Sequence, residues 1–341
     1  MNVEQVKLDN AKKGILTIIC VAMMCLCNLC MSNGLYVIGE VLIAGVPLSL
    51  FLLGYLSGLE KIEKPFKWLC SKAVYLIPYL LFIVVVYGAY EISGKADVSL
   101  MQWLFCIFDL QGLNYTVWKF SEYEAVSGFS HLWLLTTIAI CYLITPLLQR
   151  IKWLDLTPIK KTGIIAILLI VQLGLLYLGI QLSYIITYAV GYIVSLKPVR
   201  TDSKWYAIVC VVAVIITSGR LVIRIVWDGT LFYNSYVALI SSATIGAWVF
   251  YTVFFLAEKL SRLFKALDSG GLKKVAELSC YTYLTHYMLV RGPFSVGNYV
   301  ESKLLEIILI VVLSVISGAI LWFISENFIL RMIRRTLGEN R

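Results

Sequence analysis

The chain has 341 residues, 60% of them hydrophobic and only 14% charged, and its mean hydropathy is +0.86. That balance excludes an ordinary soluble domain and leaves a polytopic, all-α membrane protein in one helical-bundle domain, residues 1–341. The net charge of +9 lies in the segments between apolar runs, where it faces anionic lipid headgroups; membrane lipids are the partner it implies, not nucleic acid.

The first apolar run, "KKGILTIICVAMMCLCNLCM", begins at Lys12 and Lys13 and is too long, with no small-residue cleavage site behind it, for a removed signal peptide. Windows of about twenty apolar residues predict spans over 14–33, 36–57, 73–91, 131–149, 162–180, 182–196, 205–225, 236–257, 275–291 and 304–325. The sixth and ninth are short and tyrosine-rich, consistent with tilted, broken or partly re-entrant helices. The long connection 92–130 holds "VSLMQWLFCIFDLQGLNYTVWKF", whose tryptophans and acidic residues predict a segment lying in the outer interface, as an anchor or a lid.

Charge supports the same topology independently. With the N-terminus cytoplasmic, all but six of the 29 basic residues fall on the inner side, among them Lys61, Lys64, Lys67, Lys72, Arg150, Lys259, Arg262 and Arg331. The outer side keeps Lys95, Lys119, Arg220, Arg224, Arg291 and Lys303. A missed helix would scramble this alternation, so ten spans with both termini inside is the expectation, in the plasma membrane.

Cys20, Cys25, Cys27 and Cys30 crowd the first span. Ten residues of helix cover about 15 Å, whereas ligands of one metal lie within a few ångströms of each other. The helix alone therefore builds no four-thiolate site; a pair such as Cys27 and Cys30 would need a ligand from another helix, and with only two histidines and the other cysteines scattered singly the thiols read as small apolar filler, with no metal expected.

Ionisable groups inside spans are costly and mark function or a buried pair. His131 opens the fourth span in "SHLWLLTTIAICYLITPLL"; His286 lies in the ninth, in "SCYTYLTHYMLV"; Arg220 and Arg224 sit one turn apart in "TSGRLVIRIV". By the topology all four fall in the outer half of the membrane. Imidazoles exchange protons near neutral pH, and guanidinium groups hold phosphate, carboxylate or a developing oxyanion.

The segment around His131, Leu132, Trp133, Pro146, Leu147 and Leu148 resembles the membrane acyltransferase-3 family, which carries a histidine before Leu-Trp and a Pro-Leu-Leu-like helix end. "VPLSLFLLGYLSG" looks like that family's second span, "ITYAVGYIVSLK" like its sixth and "SCYTYLTHYMLV" like its late Tyr-Leu-x-His segment. The resemblance implies transfer of an acetyl or other acyl group from cytoplasmic acyl-CoA to a hydroxyl of a surface polysaccharide or lipid-linked glycan, alongside other polysaccharide-assembly proteins. It implies His131 or His286 as general base and Arg220 as oxyanion stabiliser. Arg224, Arg291, Trp133 and Tyr283 would then hold the acceptor, and Lys12 and Lys13 the CoA phosphates.

The family's first span has a basic residue followed, after ten intervening positions, by a histidine. Counting from Lys12 and Lys13 reaches Met23 and Met24, and neither transfers a proton. Leu53 also stands where the family has serine before Gly54. An alternative is therefore a catalytically altered relative that binds, moves or exports a glycan. A glycosyltransferase using lipid-phosphate sugars is disfavoured: Glu40 is the only acidic residue near the first outer loop, and the histidine segments would have no part in it.

Overall fold

The computed structural model describes residues 3–94, 99–108, 130–151, 185–196, 201–227, 238–267 and 270–336, with isolated positions between 157 and 199. In chain order its α-helices are α1 Val3–Ser32, α2 Tyr36–Leu42, α3 Gly45–Leu59, α4 Pro65–Ala73, α5 Ile77–Ser93, α6 Leu100–Ile107 and α7 Trp133–Arg150. They continue with α8 Ile185–Ser195, α9 Ser203–Trp227, α10 Ala238–Lys259, α11 Ser261–Leu267, α12 Gly270–Val290, α13 Lys303–Ile324 and α14 Leu330–Thr336. No strand occurs among the described residues, and helices satisfy their backbone groups within each segment, as a bilayer's interior allows.

Among the described residues seven stretches of helix are long and apolar enough to cross a membrane: Asp9–Ser32, Tyr36–Leu59, Pro65–Ser93, Trp133–Arg150, Ser203–Arg220, Ile240–Lys259 and Lys303–Ile333. The chain is a membrane protein, and these seven coincide with the predicted first, second, third, fourth, seventh, eighth and tenth spans. The fifth, 162–180, lies largely outside the described residues. The sixth is an apolar helix of only 11 residues, α8. The ninth, α12, is an unbroken helix of 21 residues, not a broken one; Lys273, Lys274 and Glu277 near its start, then its serine, threonines and histidine, keep its hydropathy below that of the seven. The third span begins earlier than predicted, because α4 leads through a 3-10 turn at Val74–Leu76 straight into α5.

The described helices fall into two compact units, one of residues 1–61 and 144–276, the other of 62–143 and 277–341. Their boundaries lie between α3 and α4, within α7 and within α12. In the first unit α3 and α8 make the most extensive packing. Gly54 sits against the Tyr188 carbonyl and Gly191 against the Phe51 carbonyl, so closely that a Cβ at either position would overlap backbone. Lipid tails give apolar helices no hydrophobic reason to associate, and small residues that let backbones touch supply dispersion contacts instead. Phe250, on α10, fills the adjoining space: its ring meets Phe51 at 4.8 Å and Tyr55 at 5.2 Å between centroids and stacks on Phe254 at 4.5 Å.

In the second unit α12 and α13 approach closely where Gly318 faces the Thr282 backbone, and the Thr285 hydroxyl donates to the Ser314 carbonyl at 3.3 Å. Within the predicted interfacial segment, α6 is docked by the Tyr79 hydroxyl, which donates to the Cys106 carbonyl at 2.6 Å, and Trp103 is buried. Residues 109–129 of that segment lie outside the described ones. At the far end of α13 a π turn at Ser325–Ile329 aims Glu326 at the Tyr281 hydroxyl, which donates to it at 3.1 Å.

Candidate functional site

His131 is held in the 3-10 turn Ser130–Leu132 that leads into α7, and His286 in the last turns of α12. The second unit brings them together. Their ring centroids are 5.0 Å apart in an edge-to-face arrangement, and they are 5% and 2% exposed.

Hydrogen bonds assign the protons on both rings. His131 Nε2 lies 3.0 Å from the Tyr283 carbonyl and 3.3 Å from that of Leu284; carbonyls only accept, so Nε2–H donates to both. Nδ1 then carries the lone pair, and it is buried with no hydrogen-bond partner among the described residues. His286 Nδ1–H donates to the Tyr283 carbonyl at 2.7 Å, so in the neutral ring the lone pair is on Nε2.

Two tyrosines complete the cluster. The Tyr283 hydroxyl donates to the His131 carbonyl at 2.7 Å, so each residue bonds the other's main chain. The Tyr287 ring stacks on His131 at 4.9 Å with 29° between planes. On α12 the positions 283, 286 and 287 share one face, and that face meets His131. The reciprocal bonds and the stacked ring leave the imidazole little rotational freedom. Tyr283, expected to contact substrate, thus spends its hydroxyl on the histidine.

Trp133 begins α7, half-buried, and accepts at its carbonyl from the Thr137 hydroxyl at 3.4 Å. Arg291 follows α12 with an exposed side chain, its N–H closing onto the Tyr287 carbonyl at 2.8 Å.

Arg220 belongs to the first unit, on α9. It is 5% exposed, with Nη1 donating to the Ser241 hydroxyl at 2.8 Å, and its guanidinium attracts and hydrogen-bonds the side chain of Glu40. Glu40, on α2, is equally buried at 5%. In the sequence Glu40 stands out only as the acidic residue near the first outer loop, and the signal for the pair is an acid and an arginine both in apolar spans on the outer side. The Arg224 side chain lies outside the described residues.

Lys12 and Lys13 are on α1 of the same unit. Lys12 pairs with Asp9 at 3.1 Å and lies over the Phe254 ring at 4.7 Å, so its charge is engaged by the protein itself. Lys13 is exposed and points a cation outward. Met23 and Met24 are taken up by packing: Gly45 of α3 comes so near that a Cβ there would lie 2.8 Å from the Cys20 carbonyl, 2.8 Å from Met23 Cβ and 3.0 Å from Met24 Cγ. One turn after Met24 on that helix, the Cys27 thiol donates to the Gly39 carbonyl at 3.2 Å, joining α1 to α2. Among the described residues no three histidine, cysteine or acidic side chains converge as a metal site.

Compared with protein-family models, with curated proteins and with solved structures, the chain matches none.

Proposed function

We propose that the chain is a multi-pass O-acyltransferase of the cell membrane, with ten spans and both termini cytoplasmic, that moves an acetyl or other acyl group from acyl-CoA to a hydroxyl of a surface polysaccharide or lipid-linked glycan. The observation that carries this reading is the His131 imidazole: proton fixed on Nε2 by two carbonyls, lone pair on a buried and unpartnered Nδ1. This is the arrangement of a general base, one nitrogen tied to a fixed acceptor and the other bare. In the reaction the acceptor oxygen attacks the acyl carbonyl while its proton passes to Nδ1. The carbon–sulfur bond then breaks, and the proton returns to the leaving thiolate, giving an ester and free CoA.

A second reading, a non-catalytic relative that binds or moves a glycan, is favoured by Met23 and Met24, which fill the space at Gly45 where the family has a base. Measuring O-acetyl groups on surface glycan in a deletion strain separates the two. Complementation with the natural chain should restore them, and His131→Ala should lower the transfer rate by about 10²–10⁴-fold, the usual contribution of a positioned base. Unchanged acetyl content in the deletion, with less total glycan, would instead establish the binding reading.

A further inference from the structure

We infer that Glu40 and Arg220 form a buried ion pair that fastens the α1–α2 hairpin to α9 and α10 within the first unit, so that Arg220 is a structural cation and not a holder of substrate anions. This stands apart from the acyl-transfer reading, which needs only the histidine cluster of the other unit.

An arginine near the end of a span ordinarily extends its guanidinium to the interface. Arg220 does not: it is 5% exposed, and its partner Ser241 is 0% exposed. Its hydrogen bond to Ser241 ties α9 to α10, and its hydrogen bond and attraction to Glu40 tie α9 to α2. The Cys27–Gly39 bond, immediately beside Glu40, carries the link on to α1. α2 packs against both α1 and α10, so the pair joins four helices at one level. Among the described residues one cation, Arg220, meets one anion, Glu40. Either charge left alone there would be a buried ion in an apolar setting, far more costly than the matched pair or than two neutral side chains. The Glu40 carboxylate answers the charge of Arg220 and the Ser241 hydroxyl takes Nη1, while the buried Arg220 Nε and Glu40 Oε2 make no hydrogen bond among the described residues.

The test uses the full-length protein in detergent, scoring by size-exclusion chromatography the temperature at which half remains monodisperse. Glu40→Gln and Arg220→Gln should each lower it by about 10 °C, while the double variant Glu40→Gln/Arg220→Gln should return to within about 3 °C of the natural protein. Single losses that add in the double variant, a double variant that fails to fold like the singles, or an Arg220→Gln protein as stable as the natural one would overturn the pair. Inorganic phosphate at millimolar concentration should leave the natural protein's midpoint unmoved. A rise that disappears in Arg220→Gln would make Arg220 an anion site and overturn the structural assignment.

Discussion

The Tyr283 hydroxyl and the His131 carbonyl form one buried hydrogen bond of 2.7 Å, and a phenylalanine at 283 removes only the donor. The carbonyl left behind is buried without its donor, so Tyr283→Phe should cost about 1–3 kcal/mol of stability, read as a lower denaturation midpoint in detergent. If the bond also aims Nδ1, O-acetyl transfer should fall by about tenfold in the same variant, and a loss much larger than that would return Tyr283 to direct substrate contact. Both histidines were legible as residues: an imidazole in an apolar run is conspicuous because of its desolvation cost. Their meeting was not legible, since His131 and Tyr283 are 152 positions apart and helical periodicity says which face a residue occupies, not which helix that face meets. Glu40 was visible in the same way, and only packing names Arg220 as its partner.

Among the elements, α3 and α8 depend most on residues that contribute no side chain. Gly54 and Gly58 stand four apart in "GYLSG", a small-xxx-small pattern plainly readable in the sequence. What it meets, the Tyr188 carbonyl and Ser195, appears only in the fold. Gly54→Leu or Gly191→Leu should force these helices apart and abolish monodisperse protein, whereas Gly88→Leu should be tolerated, because a Cβ at Gly88 meets nothing within 4 Å. Comparing detergent-extracted yields of the three variants checks this. α12 shows the opposite limit. Its polar residues lower its hydropathy and make it read as a short or broken span, yet they lie on faces used by His131 on one side and by Ser314 and Glu326 on another. A helix with two working polar faces scores poorly as a lipid-facing span for that reason.

At the scale of the whole molecule, hydropathy and charge alternation lead to the same proposed topology, and exposed positions make it testable. Cys70 is exposed on α4, among the basic residues assigned to the cytoplasm, and Arg291 is exposed after α12. A membrane-impermeant maleimide should label Arg291→Cys in intact cells and reach Cys70 only after the membrane is opened; labelling of Cys70 from outside would invert the topology. The sequence by itself determined the helical class and the membrane setting, because transfer of some twenty apolar residues into a bilayer is a local, additive free energy that needs no partner. The tertiary structure alone decided that His131 and His286 share a site, that Arg220 answers Glu40, and that Met24 fills space beside Gly45. Each of these is a pairing between distant segments, and its energy exists only once two helices have been brought face to face.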